Sequence, residues 1–211
     1  MPSAKEFWSS RLKNIDITKI DLSEDRSEEM LHYYCDNYLQ EKATVLDLAC
    51  GGGRNARYLA KRGYNVFGTD FSGLAVDFCR RTFEYLKLKG SFQESNMSTI
   101  PFENGFFAGV TCIAALDHVT LPEAVETIKE IRRVLSRQGT MFLTFDPLGR
   151  NEELAEEPEI LPDGTWKYNT GPKAGLIFRK YTDEQIVELI GDEKIIKFQK
   201  GTDGTRRVIA R

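Results

Sequence analysis

The chain is poor in the residues from which several kinds of site are built. Only two histidines, His32 and His118, and four cysteines, Cys35, Cys50, Cys79 and Cys112, are spread over 211 residues. No C-x-x-C pair occurs, which argues against a zinc centre or a disulfide framework and for small buried thiols. No metal is expected, and a reducing, cytoplasmic setting is the simplest expectation. No run of about 18 apolar residues is present, and the opening MPSAKEFWSSRLKN lacks the apolar core of a signal peptide, so no membrane association is expected. Positive charge is not in excess: 29 Lys and Arg stand against 32 acids, a net charge of -3. No global field would draw the chain onto a phosphate backbone, and no nucleic-acid partner is expected. What is there, 41% hydrophobic and 11% aromatic, suffices for the core of one globular domain.

In the middle of the chain, short apolar runs alternate with helical periodicity. Ala43 to Leu48, Tyr64 to Asp70, Gly109 to Ala114 and Thr140 to Phe145 read as strands buried on both faces. Between them, Leu121 to Ser136 carries Ala124, Ile128, Ile131 and Leu135 on one helical face. Arg54 to Arg62, stopped by Gly63, and Ser72 to Lys89, stopped by Gly90, supply two more helices. Strands alternating with helices predict an α/β fold, a doubly wound and mostly parallel sheet with helices on both faces. The flanks differ. Ser23 to Gln40 reads as a helix within an N-terminal extension, residues 1–42, beside the core at 43–146. Over 147–180 glycine, proline and a glutamate run from Glu152 to Glu159 predict a long surface excursion, a candidate lid. A helix near Asp183 to Ile190 and a hairpin of Lys194 to Gln199 with Arg206 to Ala210 close the domain over 181–211.

The most informative stretch is VLDLACGGGRNARYLAKRGYNVFGTDFS, Val45 to Ser72. Gly51, Gly52 and Gly53 let a ligand approach main-chain N–H groups at a helix start. Asp70 ends the next strand, where a carboxylate accepts hydrogen bonds from both hydroxyls of a ribose. Gly51, Gly53 and Ala56 also satisfy the G-x-G-x-x-A pattern of NAD binding, so a nicotinamide-dependent oxidoreductase is one reading. Asp47 favours another: its charge would repel a diphosphate and attract a ligand that carries an ammonium group. S-adenosylmethionine, with an adenosine at one end and a cationic aminoacyl tail at the other, matches both acids.

From about Ala43 to Asp146 the sequence resembles the class I S-adenosylmethionine-dependent methyltransferases. The resemblance implies a Rossmann-like, seven-stranded sheet whose last strand is antiparallel. It assigns Asp47, Ala49, Gly51 and Gly53 to the first cofactor motif, and Asp70 with Phe71 to the ribose and one adenine face. Asn96 and Met97 match the segment that reads adenine, and Cys112 with Ile113 the wall beside the methionine. The run from Gly53 through Asn55 to Gly63 is similar to the G-R-N helix of the tellurite-resistance methyltransferases. Three positions depart from the pattern. Ala49 replaces a common glycine, which is tolerable only with φ below zero. Asn96 and Ala108 replace aspartates, and weaker cofactor affinity is expected.

Other residues carry two readings each. His118, preceded by Asp117, lies where this family builds its substrate wall, and an imidazole, with a reference pKa of about 6.5, suits proton acceptance; a solvent-facing or core imidazole is the alternative. Trp8 and Arg11 either fold over the cofactor, the Arg pairing with its carboxylate, or belong to an amphipathic helix packed on the core. His32 reads as structural. Trp166, Tyr168, Phe178 and Tyr181 either shape a substrate pocket or anchor the excursion. The expected activity is in-line methyl transfer to a small-molecule N, O, S or chalcogen nucleophile, releasing S-adenosylhomocysteine. A non-catalytic, cofactor-binding protein is the alternative, and nothing in the chain specifies an oligomeric state.

Overall fold

Apolar runs too short for helices, each bounded by turn residues, form the strands. The computed structural model describes residues 2–19, 22, 28, 30–147 and 157–211. Its strands are β1 (Thr44–Leu48), β2 (Asn65–Asp70), β3 (Ser91–Glu94), β4 (Phe107–Cys112) and β5 (Leu135–Phe145). A small sheet of two-residue strands follows, β6 (Glu159–Ile160), β7 (Trp166–Lys167) and β8 (Ile177–Phe178), then the closing pair β9 (Ile195–Lys200) and β10 (Arg206–Ala210). The helices are α1 (Ala4–Ser10), α2 (Leu31–Tyr38), α3 (Arg54–Lys61), α4 (Gly73–Tyr85), α5 (Leu121–Val134) and α6 (Asp183–Ile190).

The main sheet has seven strands in the order β3-β2-β1-β4-β5-β10-β9. Strands β1 to β5 are parallel, and β10 runs antiparallel to both of its neighbours. This is the Rossmann-like architecture that the resemblance implies. Central strand β1 feeds both faces, as period-two alternation requires. Leu46 and Leu48 join a core with Ile128 and Ile131 of α5 and Ile186 of α6, whereas Val45 packs with Tyr34 of α2, Leu59 of α3 and Val76 of α4. The helices start at side-chain caps: Ser72 on α4, and capping boxes at Thr120 for α5 and Thr182 for α6.

Several sequence boundaries change. Strand β3 was not foreseen: four residues with Phe92 alone buried leave no alternation to read. Helix α4 ends at Tyr85, short of Lys89, because Lys87 turns left-handed at φ 55°. Helix α5 ends at Val134, and Leu135 already pairs with Phe107 of β4. Of the helix expected over Ser23 to Gln40, the described part is helical from Leu31, and most of its first half lies outside the described residues. The excursion is not structureless where it is described, since residues 159–178 contain β6 to β8; residues 148–156, with most of the glutamate run, lie outside the described residues.

Candidate functional site

The chain leaves β1 on one side to make β2 and β3, then returns on the other for β4. Connections on opposite faces diverge there and leave an opening beyond the strand ends. A crevice of ≈ 480 Å³ occupies this switch point. Its floor is the loop after β1 and the ends of β2 and β4. Residues Ala4, Trp8, Arg11 and Leu12 of the N-terminal segment and Ile177 of β8 complete the wall. Helix α1 is held in place by Ser9, whose Oγ lies 2.7 Å from the Ser72 Oγ, and by a Lys5–Glu94 ion pair.

Three residues of the glycine loop have left-handed backbone: Ala49 (φ 56°), Gly51 (φ 51°) and Gly53 (φ 71°). The expectation of a negative φ at Ala49 is therefore wrong. The loop needs the same turn that glycine usually supplies, and alanine adopts it at a conformational cost. Gly53 begins α3, and a Cβ there would lie 2.8 Å from the Cys79 Sγ, so only glycine fits. Ala49 and Gly51 line the crevice; Gly53 is packed away from it against α4. Asn55 also lines the crevice, and its Oδ1 accepts the Glu28 N–H at 3.1 Å.

Asp70 stands at the crevice wall with both oxygens oriented by main-chain donors. Gly51 N–H donates to Oδ2 and Ser72 N–H to Oδ1, each at 2.9 Å. Burial raises its pKa, and these two bonds oppose the rise. Each carboxylate oxygen retains a further lone pair, so two hydroxyls can still be accepted side by side.

Asp47, whose charge was expected to attract an ammonium group, does not itself line the crevice. The strand's alternation turns its side chain under the loop, where it is 2% exposed. Thr111 Oγ1 of β4 donates to Oδ1 at 2.9 Å, and Oδ2 is buried without a hydrogen-bond partner. Burial pushes its pKa up to about 6, against the bond from Thr111. A carboxylate so placed acts on a cation above it through the field of the loop, with little screening by water.

Phe71, Asn96, Met97 and Ile113 all line the crevice, whereas Cys112 is wholly buried with its thiol pKa raised by burial. His118 is in the wall, on the helical turn Leu116–His118 that follows β4. Its Nδ1 lies 3.1 Å from the Ile177 carbonyl oxygen, and its ring meets the Trp8 indole edge-on at 4.7 Å. Asp117 faces the other way and is buried: its Oδ2 accepts the Asp146 N–H and its carbonyl accepts the Arg179 N–H. It holds the turn rather than entering the crevice. Trp8 and Arg11 are in the wall, the guanidinium 5.6 Å from the indole centroid, while the neighbouring Phe7 takes the core position. Of the aromatic residues in the excursion, Tyr168 and Phe178 are buried against Phe7, with Trp166 packed on them, and Tyr181 belongs to the main core; none of the four lines the crevice. His32 bonds the Tyr58 hydroxyl at 2.9 Å, a structural role.

Sequence reasoning missed Ala114, Val119 and Ile177, which also line the crevice. Ala114 (φ 51°) and Val119 flank the turn that carries His118, so the strand end was the available signal. Ile177 had none, because β8 is two residues long.

The crevice fits S-adenosylmethionine by its chemistry: an oriented carboxylate for a ribose, open space beside the Gly51 backbone, and a buried acid with one unpartnered oxygen. Among the described residues no three His, Cys, Asp or Glu side chains are grouped to hold a metal ion, and no helix is long and apolar enough to cross a membrane.

A family model described as a methyltransferase domain matches residues 45–139. YqeM of Bacillus subtilis (strain 168), which bears a methyltransferase name, is 32% identical over 129 residues, 61% of this chain and 50% of that protein. The ubiquinone biosynthesis O-methyltransferase of Vibrio parahaemolyticus is 32% identical over 171 residues, covering 72% of this chain and 70% of its own length. The solved structure of an S-adenosylmethionine-dependent methyltransferase from Methanosarcina mazei superposes with a TM-score of 0.73 at 25% identity, over 87% of this chain and 97% of that one. The chain spans about half the length of several curated relatives that it matches. These likenesses overturn the nicotinamide reading, for which the glycine spacing was the sole support. The chain belongs to the class I S-adenosylmethionine-dependent methyltransferases.

Proposed function

We propose that this chain transfers the methyl group of S-adenosylmethionine to a small-molecule nucleophile. The observation that carries the reading is one continuous crevice in which the Asp70 carboxylate and the glycine loop share a cavity with His118 and Trp8. The cofactor supplies a methyl group on a cationic sulfur, a good leaving group. The protein therefore contributes mainly alignment and exclusion of water, and alignment alone is worth several kcal/mol.

Asp70 and Asn96 are assigned the adenosine end, with Phe71 and Met97 against the base. Asn96 accepts from an amino group through its amide oxygen, without the help of charge. Arg11 is assigned the cofactor's carboxylate, and Asp47 the aminoacyl cation through the loop. Trp8, Val119 and Ile177 exclude water near His118. A carbonyl oxygen only accepts hydrogen bonds, so the bond to Ile177 puts the His118 proton on Nδ1 and, in the neutral ring, the lone pair on Nε2. That tautomer suits a general base for a phenol or alcohol. A thiol or other chalcogen nucleophile that ionises near neutral pH needs no base.

Titration calorimetry with S-adenosylmethionine and S-adenosylhomocysteine, followed by turnover on a panel of phenols, thiols, amines and chalcogen anions, tests the reading. We expect one site per chain and methylated product from at least one class. Binding without product from any class favours the non-catalytic alternative; no binding of either ligand overturns the reading.

A further inference from the structure

Arg207 of β10 is a buried cation that does not line the crevice. Its Nε donates to the carboxylate of Glu28, 179 positions away in the chain, and its terminal nitrogens face the Asp203 carboxylate at 3.3 and 3.4 Å. The Arg207 side chain is 4% exposed and that of Glu28 12%, so water screens the pair little. Taking two such charges out of water is costly, and apolar side chains of similar volume often stabilise a fold as well or better. What the pair does fix is a position.

That position leads to the crevice. Glu28 Oε1 also accepts the Met30 N–H at 3.2 Å, which ties the carboxylate to the start of α2. On the other side, the Glu28 N–H donates to the Asn55 Oδ1 at 3.1 Å, in the first turn of α3. An N–H cannot accept, so the amide atom that faces Glu28 is the oxygen, and the Nδ2 donors turn the other way. A flipped amide would set donor against donor and turn its oxygen to the ligand instead. Asn55 is 9% exposed and stands in the crevice wall, with Oδ1 already engaged.

We propose that Glu28 and Arg207 are positioning residues for cofactor binding: their ion pair holds the Glu28 main chain against Asn55, so that Asn55 presents Nδ2 as a hydrogen-bond donor to an oxygen of the ligand. The closing strand of the sheet thereby acts on the crevice through two residues that do not line it. This rests on the cofactor reading above, and it adds to that reading a pair whose effect on the ligand passes through Asn55 alone.

The test is a double-mutant cycle on S-adenosylhomocysteine affinity, titrated well below the lowest Tm of the set. We expect Arg207→Met, which leaves the Glu28 carboxylate without its cation, and Asn55→Ala each to weaken binding about tenfold, the worth of one hydrogen bond to a charged or strongly polar group. The double variant should bind within about twofold of Asn55→Ala, because the ion pair has nothing left to position. Arg207→Lys, which restores the charge, should return affinity to within about threefold of the wild type. If Arg207→Met does not fold, Glu28→Gln takes its place in the same cycle: it keeps the shape and loses the charge, and its loss of about threefold should vanish in the Asn55→Ala background. A merely structural pair lowers Tm and leaves the affinity of the folded protein unchanged, or lowers affinity by the same factor with and without Asn55; either result overturns the proposal. Wild-type protein that binds no S-adenosylhomocysteine removes the cofactor reading and this proposal with it; wild-type binding with unaffected or additive variants removes this proposal alone.

Discussion

His118, on the turn after the fourth strand of the main sheet, and Ile177, fifty-nine positions later in the small sheet, share one hydrogen bond of 3.1 Å from imidazole Nδ1 to carbonyl oxygen. The bond orients the one histidine in the crevice wall, and it ties that wall to β8 of the small sheet.

If His118 accepts a proton, its loss reaches kcat and not cofactor binding. For a phenolic acceptor we expect His118→Gln to lower kcat by about 10²–10⁴-fold, with S-adenosylhomocysteine affinity within about twofold of the wild type. For a thiol acceptor the same variant should lose little. Steady-state kinetics on both acceptors, with calorimetry, separates a base from a wall residue.

Asp70 presents two oxygens already oriented by the Gly51 and Ser72 N–H groups. Charge-assisted bonds to the ribose hydroxyls are worth about 1.5–3 kcal/mol. We expect Asp70→Ala to weaken S-adenosylhomocysteine binding by roughly 10- to 100-fold. A nucleoside ligand that lacks both ribose hydroxyls should bind the wild type and the variant alike, which calorimetry can establish.

We expect Asp47 to make cofactor binding depend on pH. Its pKa is about 6 in the folded protein against an ordinary 3.8, and ionisation favours a cationic ligand. Affinity for S-adenosylhomocysteine, whose amino group stays protonated in this range, should rise as pH goes up through about 6, with proton release on binding near that pH. Stability without ligand moves the other way. A carboxyl with a raised folded pKa contributes fully below 3.8, and its contribution is lost as pH rises through about 6. Asp47→Asn should flatten both profiles, as titrations between pH 5 and 8 and melts between pH 4 and 7 would show.

Trp8 meets His118 edge-on at 4.7 Å and lies beneath the Arg11 guanidinium. We expect Trp8→Ala to raise the acceptor's KM severalfold and to weaken cofactor binding through a less ordered Arg11, with Trp8→Phe close to the wild type in both. Equal kinetics in all three proteins would make α1 a packing element only.

Much of this site was legible before any coordinates. Long periodic segments such as α5 and apolar strands such as β1 declare themselves, because burial imposes one period on many residues. The glycine loop and Asp70 were legible because few residue types tolerate those positions. What stayed hidden depended on tertiary contact. The small sheet β6–β8 consists of two-residue strands, too short for any pattern. Asp47 was found by its position and its charge, but its burial beside Thr111, set by the alternation of β1, was not. Trp8 and Phe7 are neighbours in the same helix, and only packing decides which faces the core and which the crevice.

The most direct measurement is a calorimetric titration of the folded wild type with S-adenosylhomocysteine, repeated on Asp70→Ala. We expect saturable binding at one site per chain and a loss of at least about tenfold in the variant. No heat at millimolar ligand, or equal affinity in the two proteins, would contradict the assignment of this crevice to the cofactor.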